Sequence, residues 1–257
     1  MKIIETIEVL SNFGRATLSC KSIWRKEVVN VFVKVRNDKA LWQVFIYLVT
    51  VIIFFVEKTF NLGGYNIYSK IDNLIPFVPI FVIPYFSWFL FIIGTGLIFL
   101  IKSKQDLRKT FLSVNLCMVI ALLVYLIFPN YQSLRPETYA SDIFSQWVKL
   151  LQIKDSSSEV CPSLHVAVCI SLYTGITHSI CFRDRSIMKF LALILTILII
   201  LSTVFIKQHS IVDVAFGLLL GVVVHLFVYK IYFNPTLFPN RVENWEISDN
   251  RSCPKVS

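Results

Sequence analysis

The chain has 257 residues, of which 56% are hydrophobic, and its mean hydropathy is +0.68. These values exclude an ordinary soluble globular domain and indicate an integral membrane protein. The net charge of +9 does not indicate nucleic-acid binding, because no basic and aromatic pattern occupies an extramembrane segment of adequate size.

The first forty residues are polar and basic, with apolar residues recurring among them at helical spacing. This pattern predicts a basic amphipathic helix within residues 1–40 that lies on the inner leaflet. The segment contains no apolar stretch typical of a signal peptide, so we expect the first long apolar run to be a true span.

Six apolar runs approach the length of about 20 residues that a helix needs to cross a bilayer. They are Leu41–Val56, Tyr85–Ile101, Thr110–Phe128, Leu164–Phe182, Met188–Ile206 and Ile211–Tyr229. We therefore predict an all-α fold with a six-transmembrane-helix bundle over residues 41–229 and a flexible cytoplasmic tail over residues 230–257. Nineteen of the 25 lysine and arginine residues fall in alternating loops and the two termini, which predicts that both termini are cytoplasmic.

Two connecting segments and one glycine pair carry further signals. Three prolines between residues 76 and 84 predict an interrupted approach to the second span. A short helix is expected around Ile143–Ile153 in the longest loop. The pair Gly217-x-x-x-Gly221 is typical of close helix contact, either within the bundle or in a homo-oligomer.

Three polar clusters fall on the same side of the predicted bundle, on the face opposite the termini. They are SLRPE, with Arg135; CPSLH, with Ser163 and His165; and KQHSIVD, with Lys207, His209 and Asp213. A carboxylate at the start of a span is costly to insert, so Asp213 is expected to have both a partner and a function. The remaining histidines, His178 and His225, are interpreted as packing residues.

His209 and Asp213 are four residues apart, so on a helix they face the same way. The carboxylate can then accept a hydrogen bond from one imidazole nitrogen and leave the other nitrogen as a nucleophile. With His165 as a second acid or base and with Arg135 and Lys207 as cations, this set suits a phosphoryl group. No clustered-carboxylate pattern marks a magnesium site, so we expect neither a metal ion nor another cofactor.

At these residues the sequence resembles the type 2 phosphatidic acid phosphatase family. That family includes lipid phosphatases and enzymes that transfer phospho-headgroups, such as sphingomyelin and inositol phosphorylceramide synthases. Its pattern is KxxxxxxRP, PSGH and SRxxxxxHxxxD. Arg135-Pro136 matches the end of the first motif, Pro162-Ser163-x-His165 the second, and Ser202 with His209-x-x-x-Asp213 the third.

The resemblance implies a phospho-histidine mechanism on a lipid phosphate. His209 would attack phosphorus, Asp213 would orient it, and His165 would protonate the leaving oxygen and then activate water or an alcohol. Arg135, Ser163 and Lys207 would hold the phosphate. Two cations of the family pattern are replaced, by Phe128 and Thr203, and the headgroup-transferring branch likewise relaxes its basic positions.

Three functions remain open from the sequence. The first is a phosphatase of lipid phosphate monoesters or diphosphates in the cell membrane, with its site on the non-cytoplasmic face. The second keeps the site but transfers a phospho-headgroup to a lipid or sugar alcohol. The third is a transporter or structural membrane protein, which would require polar residues along a midplane pathway where Asn115 is the main candidate.

Overall fold

A computed structural model describes residues 38–60, 64–234 and Leu237, and the described chain is mostly helical. The α-helices are α1 Lys39–Phe60, α2 Val82–Lys102, α3 Lys104–Ile127, α4 Ile143–Lys154, α5 Leu164–His178, α6 Ser186–Phe205 and α7 Ile211–His225. A π-helical segment, Leu226–Tyr232, continues α7. The predicted short helix in the longest loop is thus present as α4.

Within the described residues, five helices are long and apolar enough to cross a membrane, which indicates an integral membrane protein. They are α1, α3, α6, α2 with the 3-10 turn before it, and α7 with the π-helical segment after it. The remaining predicted span, Leu164–Phe182, which is the fourth in chain order, is shorter than expected, because α5 ends at His178. The orientation of the termini stays a prediction.

Helix α5 has 15 residues, which at about 1.5 Å per residue is less than the thickness of a hydrocarbon core. It stops where the Ser179 hydroxyl donates a hydrogen bond of 2.6 Å to Asp106 Oδ2 on α3. Helix α5 packs against α2, α3, α6 and α7, and nine of its side chains are buried. An interior helix surrounded by others does not itself have to match the bilayer thickness.

Helices α5 and α7 approach closely at the predicted glycine pair. A Cβ atom on Gly217 would lie 2.6 Å from the Ser163 carbonyl oxygen, and one on Gly221 would lie 2.8 Å from Cβ of Ile170. Both distances are too short for a side chain. The glycine pair therefore serves contact within the bundle, the first of the two alternatives.

The connection from α1 to α2 is irregular, as its prolines predict, and contains the 3-10 turns Lys70–Asn73 and Pro79–Phe81. It also contains strand β1, Tyr65–Asn66, which pairs in parallel with β2, Asn130–Tyr131. This two-residue pair is a small departure from the all-α prediction. It ties the first loop to the segment that follows α3.

Two predicted segments fall largely outside the described residues. These are the amphipathic helix within residues 1–40, of which only 38–40 are described, and the flexible tail over residues 230–257, of which 230–234 and Leu237 are described. Both stay predictions.

Candidate active site

His209 lies in the tight turn between α6 and α7. The backbone N–H groups of Gln208 and His209 both donate to the Thr203 carbonyl, at 2.9 and 3.0 Å, which closes the turn after α6. Lys207 has a φ of 58°, a left-handed conformation that is unusual for a residue with a side chain. Ser210 then caps α7 through its hydroxyl, which accepts from Val212 N–H. The sharp reversal presents His209 at the start of α7.

Asp213 is fully buried and holds both the helix start and the histidine ring. Its Oδ2 accepts from the Ser210 N–H at 2.8 Å and lies 3.3 Å from His209 Nδ1. Because an ionised carboxylate only accepts hydrogen bonds, Nδ1 carries the proton and Nε2 is left with its lone pair. The predicted pairing is therefore present, and the same oxygen also stabilises the capping of α7.

His165 stands at the start of α5 beside two aromatic rings of α2. Its ring centroid is 4.6 Å from that of Tyr85 and 4.5 Å from that of Trp88. The His165 and His209 rings are 5.7 Å apart. His165 Nε2 is buried and has no hydrogen-bond partner among the described residues. The two imidazoles therefore meet in one place, and one of them keeps a nitrogen available.

Ser163 connects the two histidine segments. Its backbone N–H donates to the Asp213 carbonyl at 3.1 Å, and Ser163 also occupies the N-cap position of α5. Its hydroxyl is buried and finds no partner within the part of the chain that the structure describes. An unsatisfied hydroxyl beside the N–H groups of a helix start is suited to an anion.

Arg135 is held by the C-terminal end of α4. Its Nη1 donates to the Gln152 carbonyl at 2.6 Å and its Nη2 to the Asp155 carbonyl at 2.7 Å, while Nε has no partner in residues 38–60 and 64–234. Burial lowers the pKa of Arg135, and the Asp155 carboxylate opposes that shift. The guanidinium is also close enough to Tyr85, the neighbour of His165, to interact with it electrostatically.

Lys207 points away from the histidines. Its ammonium donates to the Asp72 and Ile75 carbonyls, at 2.7 and 2.6 Å, in the loop between α1 and α2. Burial lowers the pKa of Lys207, and Asp72 opposes the shift. The structure thus brings Ser163, His165, His209 and Asp213 together, whereas Lys207 is engaged in holding the first loop. Its predicted contact with phosphate stays a prediction.

The two positions where the resemblance implies cations are occupied differently. Phe128 stacks on Tyr65 with ring centroids 4.4 Å apart and planes 8° from parallel. Thr203 is buried, with its hydroxyl on the Ile200 carbonyl at 2.7 Å. Neither side chain supplies a positive charge.

Asp72, which no sequence pattern above singled out, attaches the first loop to the turn between α6 and α7 that carries His209, called here the histidine turn. Its Oδ1 accepts from Ile211 N–H at 2.8 Å, and its Oδ2 accepts from the Ser210 hydroxyl at 2.6 Å and from Ser69 N–H at 2.8 Å. It is 1% exposed, so three donors would be left unsatisfied without it. The signal was available, because Ser69-x-x-Asp72 has the form of a capping box.

Asn130 was also missed, and no signal in the sequence indicates its role. This buried amide accepts from the N–H groups of Val160 and Cys161, at 2.9 and 2.8 Å, and donates to the Cys161 carbonyl at 3.0 Å. Tyr125 donates to the adjacent Pro162 carbonyl at 2.6 Å. Together they fix the segment that leads into Ser163.

The sequence matches the model of a known protein family. The family model described as PAP2 superfamily matches residues 110–237, which include most of α3, all of α4 to α7 and every predicted site residue. No curated protein and no solved structure matches the chain. Members of that superfamily are generally phosphatases or phosphotransferases. The chain belongs to the PAP2 superfamily.

Proposed function

We propose that this protein is a membrane lipid phosphatase that hydrolyses a lipid phosphate monoester or diphosphate through a phospho-histidine intermediate. One observation supports this most directly: His209, held at Nδ1 by Asp213, lies 5.7 Å ring to ring from His165. The remaining nitrogen of each ring can then act on opposite sides of one phosphorus atom.

The proposed reaction has two steps. In the first, Nε2 of His209 forms a bond to phosphorus while the bond to the lipid oxygen breaks, and His165 gives that oxygen a proton. In the second, His165 takes a proton from water as the water oxygen attacks phosphorus, and the bond to His209 breaks to release phosphate. Ser163 and Arg135 stabilise the charge that spreads over the phosphoryl oxygens.

The site is proposed to lie on the non-cytoplasmic face of the cell membrane. The positive-inside distribution of lysine and arginine supports this placement, because Arg135, His165 and His209 fall in the segments opposite the basic loops. A lipid phosphate in that leaflet could reach the site laterally, since its phosphate lies at the depth where these segments meet the interface.

Phosphate release from a panel of lipid phosphates in detergent tests the proposal. Wild type and His225→Ala should release phosphate at similar rates with EDTA present, whereas His209→Ala should not release it. Quenching the reaction of a phosphate-radiolabelled substrate with alkaline detergent, in which phosphohistidine is stable, should leave the label on His209. Loss of turnover with EDTA, or equal activity in His209→Ala, would contradict the mechanism.

Transfer of a phospho-headgroup to an alcohol is the second candidate, supported by the absence of a cation at Phe128 and Thr203. The same site would operate with a lipid or sugar hydroxyl in place of water in the second step. Adding such an alcohol together with a phosphodiester lipid that carries a headgroup distinguishes the two, because a transferase moves the phospho-headgroup to the alcohol and makes a new phosphodiester while free phosphate stays low.

A further inference from the structure

Lys58 lies in the last turn of α1, outside the segment that matches the PAP2 family model. Its side chain is only 12% exposed, and its ammonium forms an ion pair with Oδ1 of Asp155, at the end of α4. The ammonium also lies 5.1 Å from the centroid of the Phe54 ring. A lysine this buried near the end of a span loses most of its hydration, so its position requires nearby negative charge.

The partner of Lys58 leads directly to the histidine turn. Oδ2 of Asp155 accepts from Gln208 Nε2 at 3.0 Å, and Gln208 immediately precedes His209. The Asp155 backbone carbonyl accepts from Arg135 Nη2 at 2.7 Å. Asp155 therefore accepts hydrogen bonds from three parts of the chain, which are α1, the segment after α3 and the histidine turn. Lys58 is also close enough to His165 to interact with it electrostatically.

The site otherwise has little positive charge for a dianionic phosphate. Arg135 uses one N–H of each Nη for a backbone carbonyl and leaves Nε for the phosphate, whereas the Lys207 ammonium is bound in the first loop. The two positions where the family pattern places further cations hold Phe128 and Thr203. Phosphoryl transfer without a metal ion requires fixed cations near the equatorial oxygens. Lys58 is a cation beside the histidine turn, because its partner Asp155 is hydrogen-bonded to Gln208.

We propose that Lys58 binds the phosphate of the substrate, and that the Asp155 carboxylate competes with that phosphate for the Lys58 ammonium. Both groups are oxygen anions of similar hydrogen-bonding geometry, so exchange of one for the other keeps the ammonium paired. This assignment rests on the proposed phosphatase function and adds a binding residue from a helix that the family motifs do not include.

Two substitutions that break the same ion pair test the assignment, because they should act in opposite directions. Lys58→Met removes the cation and should weaken inhibition by orthovanadate, a phosphate mimic, by about tenfold to 100-fold, with a comparable rise in KM. Asp155→Asn removes the competitor and should strengthen orthovanadate inhibition. Lys58→Arg should restore binding in part, and Lys149→Met, at an exposed lysine of α4, should behave as wild type.

If the ion pair only stabilises the fold, Lys58→Met and Asp155→Asn should lower the thermal unfolding temperature alike and leave the orthovanadate inhibition constant unchanged. That result in an active wild type overturns the role of Lys58 and leaves the phosphatase proposal standing. A wild type that neither releases phosphate nor is stabilised by orthovanadate against thermal unfolding overturns both. Should Lys58→Met fail to fold, the opposite shifts expected for Lys58→Arg and Asp155→Asn still decide the question.

Discussion

Two pairs of histidines lie at opposite ends of the α5–α7 contact, with His209 in the turn just before α7. His165 and His209, near the helix starts, have ring centroids 5.7 Å apart. His178 and His225, at the helix ends, are 5.0 Å apart. By distance alone the second pair is the closer one.

The surroundings of the two pairs differ in hydrogen bonding. Each pair contains a buried ring nitrogen without a partner among the described residues, and in the second pair it is Nδ1 of His225. In the first pair the other ring is bound to the Asp213 carboxylate. In the second pair, His178 Nδ1 is bound to the Thr174 carbonyl at 2.9 Å, and both rings pack against Tyr229. No carboxylate is hydrogen-bonded to either ring of the second pair in the described part of the chain. A pair of adjacent imidazoles is therefore not a site by itself; an orienting carboxylate and an anion-binding environment distinguish the first pair.

The largest effect is expected from alanine substitutions in the two pairs. His209→Ala removes the proposed nucleophile and His165→Ala the acid, so phosphate release should fall by about 10³-fold or more for each. His178→Ala and His225→Ala should stay within about twofold of wild type, because they remove packing rather than chemistry. Initial rates on one lipid phosphate give all four values.

Equal losses of phosphate release from substitutions in the two histidine pairs would show that the difference in hydrogen bonding does not identify the reacting pair. Circular dichroism and elution volume of each variant check that a lost activity reflects chemistry and not unfolding.

A second test concerns the support of the first pair by Asp72. Asp72→Ala leaves the Ser210 hydroxyl and the Ile211 N–H without their acceptor at the start of α7, which should cost about 2 kcal/mol or more in stability. Because these residues adjoin His209, kcat should fall by about tenfold to 100-fold with a smaller change in KM.

Asp142→Ala is the matched control for Asp72→Ala. Asp142 also accepts two backbone hydrogen bonds at a helix start, from Phe144 and Ser145, but it caps α4 on the surface. Its loss should lower the unfolding free energy less than the loss of Asp72 does, and should leave kcat unchanged. A similar kcat in both variants would mean that Asp72 does not position the histidine turn.

Much of this arrangement could be predicted from local sequence patterns. The long apolar runs predict the spans, and the four-residue spacing predicts the contact of His209 with Asp213. The resemblance to the phosphatase family predicts that His165 lies in the same site as His209. These features depend on hydropathy and helical periodicity, which are properties of neighbouring residues.

The missed features depend on contacts between residues far apart in the chain. Lys58 meets Asp155 across 97 positions and Asp72 meets Ser210 across 138, and neither pairing leaves a periodic trace. The contacts of Lys207 with the first loop could not be predicted for the same reason, since proximity to His209 in sequence does not show where its side chain points. The early end of α5, where Ser179 contacts Asp106, likewise involves residues far apart in the chain.

A third test addresses the close contact that holds the first pair together. Gly217→Ala would place a Cβ 2.6 Å from the Ser163 carbonyl, so α5 and α7 must move apart near both histidines, at a cost of about 1–3 kcal/mol. Gly94→Ala is the control, because nothing lies within 4 Å of its added Cβ. The midpoint of the denaturation transition in detergent should be lower than that of wild type for Gly217→Ala only. Similar transitions in both variants would contradict the observed packing.

The smallest effect is expected at Cys161, in the loop before α5, whose thiol reports the charge of Asp213. Burial, and after it the negative charge of Asp213, raises the pKa of Cys161 to about 12. Alkylation by iodoacetamide at pH 8 should therefore be slow, because the thiolate is the reacting form. Asp213→Asn removes the charge, so the pKa should fall and the rate rise, by about tenfold for each unit of pKa.

The pH profile of this alkylation separates the charge of Asp213 from a looser structure. Loss of charge moves the midpoint of the profile to lower pH, whereas easier access raises the rate at every pH without moving the midpoint. His225→Ala, which changes the other histidine pair, should leave the profile as in wild type. An unchanged midpoint in Asp213→Asn would mean that this carboxyl group carries no charge beside His209. The contrast between the two histidine pairs would then lose its electrostatic basis, because a neutral carboxyl group stabilises a protonated imidazole far less than a carboxylate does.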